Sequence, residues 1–166
     1  VSGMTLLILA MMQGRKALAE TLLQRGADIS LQTSDGSTAL NLAALNGREK
    51  LVELALRHGA EINQQTPLGS TALMQSAGVG YEKVVDALIR HGADIDLQDK
   101  NGFTALMHAV CFNRPAALLC LLRAGADVTL RSADGNTALQ WAKETGHAEC
   151  VRALAEHAEA EKAAEK

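Results

Sequence analysis

The sequence predicts an all-α solenoid built from stacked helix-turn-helix units, and three observations carry that expectation. Residues 37–47 read STALNLAALNG, and the shape returns as STALMQSAGVG (70–80), FTALMHAVCFN (103–113) and NTALQWAKETG (136–146). Thr5, Thr38, Thr71, Thr104 and Thr137 are each 33 residues apart, and Leu7, Leu40, Leu73, Leu106 and Leu139 keep step. Glycines recur in phase at three further places in each period, and the apolar residues between them recur at helical spacing. A period of this length describes units too short to bury their own apolar faces, so each must lean on its neighbours.

Within one period the elements follow in order. SDGST (34–38) sets Gly36 in a tight turn and Thr38 at a helix start, where its hydroxyl accepts from an unpaired backbone N–H. A first helix of about two turns then runs from Thr38 to Asn46. Gly47 ends it by accepting a left-handed conformation, and a second helix begins near Arg48. There Leu51, Val52, Ala55 and Leu56 form an apolar stripe. That helix ends at RHGAEI, with His58 in a last turn where positive charge suits the helix dipole. An extended connection containing a turn leads into the next unit. Gly3, Gly36, Gly69, Gly102 and Gly135 hold the loop turns, Gly26, Gly59, Gly92 and Gly125 close the second helices, and Gly14, Gly47, Gly80 and Gly146 part the paired helices. Asn113 stands in this last set where a glycine is due, and asparagine is the next-best residue for a left-handed turn. Pro115 falls in the first turn of a second helix, where a missing N–H is harmless. At the end, Ala158 replaces the stopping glycine and AEAEKAAEK favours helix, so the last helix is expected to run on as a solvated tail.

Composition narrows the function. The chain has 166 residues and a net charge of −3, with acids and bases spread through every unit. No clustered basic footprint marks a nucleic-acid surface. The apolar run MTLLILAMM (4–12) is too short to span a bilayer and reads as core. Cys111, Cys120 and Cys150 show neither a CxxC nor a Cys/His ligand pattern, which points to free thiols in a reducing compartment. The expected setting is the cytoplasm, with the nucleus as the alternative. No catalytic constellation, cofactor motif or metal-ligand pattern breaks the periodicity, and the chain is expected not to be an enzyme.

DGSTALNLAALNGREKLVELALRHGAEI resembles the ankyrin repeat, whose familiar pattern is DxxGxTPLHxAxxxGHxxVVxLLLxxGADVN. The resemblance divides the chain, read as one domain over 1–166, into repeats 1–32, 33–65, 66–98, 99–131 and 132–164. Ala39, Ala72, Ala105 and Ala138 stand where the family usually has Pro, and Ile8, Asn41, Met74, Met107 and Gln140 where it usually has His. Losing that His implies lost or altered bonds between loops, and hence softer loops. The resemblance also implies a stack with first helices and loop tips on a concave side that binds a protein or peptide partner.

Carrying the family's variable positions over gives candidate partner-binding residues. Leu45, Leu68, Val79, Phe103 and Phe112 would form an apolar groove, with Asn46, Lys100 and Asn101 as its polar rim. Cys111 is the thiol at a variable position and the candidate for labelling. The competing expectation is that Phe103 folds down against the neighbouring loop and Phe112 packs under it. His58, His91 and His157 share one repeat position, but repeats packed roughly 10 Å apart cannot share an ion, so helix capping is their expected role. His108 is expected to be a satisfied core histidine, Trp141 to pack in the last unit, and His147 to fill the family's GH position. Asn63 is at the loop position that asparaginyl hydroxylases modify in some members of the family. The first unit is apolar even where a terminal cap should be polar, which implies either further repeats before it or another chain covering it. A structural spacer, an intramolecular regulatory arm, or the targeting domain of an enzyme remain as alternatives to the binding scaffold.

Overall fold

A computed structural model of the chain describes residues 4–164; Gly3 and the final residues 165–166 of the expected tail lie outside the described residues. Five helical pairs follow one another: α1 (Leu6–Gln13) and α2 (Lys16–Gln24), α3 (Ala39–Leu45) and α4 (Glu49–Arg57), and α5 (Ala72–Val79) and α6 (Glu82–Arg90). Then come α7 (Ala105–Cys111) and α8 (Pro115–Arg123), and α9 (Ala138–Thr145) and α10 (Ala148–Ala164).

The repeated threonine begins every first helix. Thr5, Thr38, Thr71, Thr104 and Thr137 each accept from the backbone N–H three residues on, at 3.1–3.4 Å. Asn41 and Gln140 complete the exchange by accepting from the Thr38 and Thr137 N–H groups, so two of the residues standing in for the family's histidine serve as caps. Between paired helices the backbone turns left-handed, and Asn113 does so at φ 52 in the glycines' place. The final helix runs 17 residues, since nothing near Ala158 stops it.

First helices pack on first helices, α1 on α3, α3 on α5, α5 on α7 and α7 on α9, while the second helices form a parallel row from α2 to α10. One continuous core runs along the stack, through Leu7, Leu40, Leu73 and Leu106 in the first helices and Val52, Val85, Leu118 and Leu154 in the second. The central first helices α3, α5 and α7 are mostly buried, sandwiched between the second helices and the units on either side.

The loops are tied to one another. Gln65 Nε2 donates to Gly69 O in its own loop (2.8 Å) and to Gln98 O in the next (3.1 Å). Gln98 Nε2 repeats this with Gly102 O (2.7 Å) and Arg131 O (2.8 Å). Backbone bonds join the tips, from Lys100 N–H to Leu68 O and from Ala133 N–H to Asn101 O. Asn63 Oδ1 accepts from Asp94 N–H, and Asp96 Oδ1 from Asp127 N–H, one unit further on. The softening expected from the missing histidine is therefore corrected: a glutamine ladder supplies bonds between loops.

Candidate functional site

Three rows of side chains, each spaced by one repeat, pave the face shared by the loops and first helices. Leu42, Gln75, His108 and Trp141 form the inner row, all half-buried. Leu45, Gly78, Cys111 and Glu144 form the second; Asn46, Val79, Phe112 and Thr145 form the third. Where the second row reaches α5 it has no side chain, and a cleft of about 300 Å³ opens there. Leu45, Met74, Val79 and Phe112 give it apolar walls, Gln75 and His108 lie along it, and Arg114 closes one end.

Gly78 is the one glycine among the described residues that does not occupy a left-handed conformation. A Cβ at Gly78 would lie 3.3 Å from the Phe112 ring, tighter than ordinary van der Waals contact. The glycine thus has no backbone reason to be there, and its effect is to leave room beneath Phe112.

The far wall is held by an aromatic chain. Phe112 stacks on His108 with centroids 6.5 Å apart and planes 7° apart. Phe103 follows at 5.7 Å from His108, and Trp141 lies 5.2 Å beyond Phe103. His108 Nε2 donates to Asp99 Oδ2 (3.0 Å), while Asp99 Oδ1 accepts from the Asn101 and Phe103 N–H groups at 2.8 and 2.9 Å. One carboxylate therefore fastens the fourth loop to α7 and fixes the ring that supports Phe112. Trp141 Nε1 donates to Ser132 Oγ (3.1 Å).

At the other end Arg114 lies across Gly80, and its Nε donates to Gly78 O (3.1 Å). Arg48 reaches Met12 O and His147 reaches Val110 O in the same way, each satisfying a last-turn carbonyl in the first helix of the preceding unit. Among the described residues no carboxylate comes within 4.0 Å of the Arg114 guanidinium. Gln75 lies along the cleft with its Oε1 buried and without a hydrogen-bond partner among the described residues.

The nine candidate residues thus fall into separate places. Leu45, Val79 and Phe112 meet around the cleft, and Phe112 is 59% exposed. Phe103 does not line it: the ring is half-buried between His108 of α7 and Trp141 of α9, whereas the competing expectation set it against the neighbouring loop, and Phe112 stacks on His108 instead of lying under Phe103. Leu68 stands 75% exposed on its loop tip, apart from the cleft walls. Lys100 and Asn101 are exposed on the next tip. Asn46 is no free rim group, because its Nδ2 donates to Leu42 O (2.7 Å). Cys111 is half-buried, and burial pushes its thiol pKa up, away from reactivity. His108 is corrected from core histidine to cleft residue. Gly78, Met74, Gln75 and Arg114 were not among the candidates.

Fold and site together define a helical-repeat solenoid with an open apolar cleft on its loop face. Residues 1–66 and 40–132 match the family model for ankyrin repeats in three copies, and residues 134–164 match the single ankyrin repeat. The chain belongs to the ankyrin-repeat family, whose repeats are in general non-catalytic protein–protein interaction modules. Comparison with curated proteins gives no match. No helix among the described residues is long and apolar enough to cross a membrane.

Proposed function

We propose that this chain is a non-catalytic scaffold that holds a peptide segment of a protein partner on its loop and first-helix face, anchored in the cleft between Leu45, Val79 and Phe112. The observation that carries this reading is Gly78, a helical glycine with no conformational task whose absent side chain keeps an apolar cleft open beside an exposed aromatic ring. Rigid aromatic side chains at the edge of a desolvated pocket are the usual anchors of such interfaces. The three free thiols fit a reducing setting, cytoplasmic or nuclear.

Selection of short random peptides displayed on phage against the immobilised chain tests the reading. Peptides recovered on the wild type should lose about tenfold or more in affinity for Phe112→Ala and for Gly78→Leu, the loss of one anchoring contact. Peptides bound equally by a folded Gly78→Leu variant would place binding elsewhere.

A second reading, a spacer or regulatory arm of a larger protein or the targeting domain of an enzyme, draws on the outer face of α1. Leu6 is 56% exposed, whereas Ala39, Ala72, Ala105 and Ala138 at the same repeat position are no more than 1% exposed beneath the preceding unit.

A further inference from the structure

We infer that the cleft selects acidic segments, in which Asp or Glu flanks a bulky apolar residue; this rests on the function proposed above and names the chemistry of the partner. Two features of the lining converge on it. The gap over Gly78, walled by Leu45, Val79 and Phe112, has the size and character for a Leu, Met or Phe side chain. The charges on the lining are one-sided. Arg114 closes the cleft with a guanidinium that no described carboxylate neutralises, and its Nε bond to Gly78 O holds it in place. Asp99, the acid nearest in the network, does not line the cleft, and its oxygens are already engaged by His108 and by two backbone N–H groups.

A guanidinium anchored through Nε keeps its terminal N–H groups for the planar, two-point grip that suits a carboxylate. An apolar side chain seated over Gly78 would bring the residues flanking it within reach of that grip. The gap over Gly78 and the Arg114 guanidinium together ask for an apolar anchor and an acid, and an acidic peptide supplies both.

The test compares peptides recovered from the same displayed random library on four proteins: wild type, Arg114→Gln, Arg114→Glu and Gly78→Leu, each shown by circular dichroism to keep its helix content. Wild type should enrich Asp and Glu beside a bulky apolar residue. Arg114→Gln should lose that preference, and Arg114→Glu should turn it toward Lys and Arg. An acid-flanked peptide taken from the wild-type pool should bind Arg114→Gln about tenfold more weakly, the loss of one charge-assisted contact, and its affinity for wild type should fall with added salt. If Arg114→Glu does not fold, the Arg114→Gln comparison decides alone. Peptides that are lost on Gly78→Leu but are indifferent to charge overturn this inference and leave the proposed function standing. Peptides retained on Gly78→Leu, or no enrichment over the starting library, overturn both.

Discussion

Glycine in a helix costs roughly 0.5–1 kcal/mol relative to alanine, because it gives up more backbone freedom on folding. At Gly78 that cost brings no turn and no left-handed backbone; what it brings is space. Gly78→Ala is therefore expected to raise the melting temperature by about 1–3 °C, since the exposed Phe112 ring can move the few tenths of an ångström that a methyl group needs. The same substitution should weaken peptide binding; a lower melting temperature would show that Phe112 is locked in place. Cys111 gives a second expectation at this scale. Burial raises the Cys111, Cys120 and Cys150 pKa values, so less thiolate is present at a given pH than in a free cysteine. Alkylation followed by mass spectrometry at neutral pH should be several-fold slower in the native chain than in urea, and equal rates would show that Cys111 is open. The sign for stability follows: protonated thiols cost the fold nothing below the unfolded-state value of about 8.5, and stability is lost as pH rises above it, because the unfolded chain ionises first. Leu45, Val79 and Phe112 were legible as residues of the open face because their repeat positions lie outside the packing stripes. Gly78 was the one glycine out of phase with the period, a signal present in the sequence but visible only once every other glycine has been given a post. Arg114 was illegible because its role depends on a carbonyl 36 residues back.

The helices follow from signals lying within a few residues of each boundary. A threonine starts each first helix, a glycine or Asn113 ends it, and the stripe of each second helix has a helical period, so the five pairs could be placed from sequence. The loops could not. Gln65 and Gln98 read as ordinary surface polar residues, and the carbonyls they bind in the next loop lie 33 residues away along the chain. Gln98→Ala removes two bonds, to Gly102 O and Arg131 O, on an exposed edge where water replaces part of what is lost. The expected destabilisation is about 1 kcal/mol, a fall of about 2–4 °C in melting temperature. Gln65→Ala should cost a similar amount, and the double variant should be close to additive, because Gln65 binds the backbone carbonyl of Gln98, which the alanine keeps. A double variant no worse than either single one would mean that the ladder holds nothing together.

Along the whole molecule the main contacts join neighbouring units alone, so stability should behave as a sum of unit and interface contributions rather than as one indivisible core. The cost of the open cleft is therefore local to Gly78: its walls come from α3, α5 and α7, whose buried sides remain packed. The linear arrangement makes a prediction that a globule with interleaved segments would not. Leu106 is 1% exposed in α7, between α5 and α9, and Leu106→Ala removes its side chain from the fourth unit's packing. The cost should be about 2–5 kcal/mol, the range for truncating a buried leucine. In a stack the loss falls on the fourth unit and on the two interfaces it makes. Native-state hydrogen exchange should therefore show reduced opening free energies for amides of α5 to α10, with α1 and α2 retaining the protection they have in the wild type. The cleft would lose its Phe112 wall before its Leu45 wall, so peptide affinity should fall at temperatures where α1 to α4 are still folded. A uniform drop in protection across all ten helices would instead show that the units unfold as one, and that stacking couples α1 to α10 as strongly as it couples neighbours.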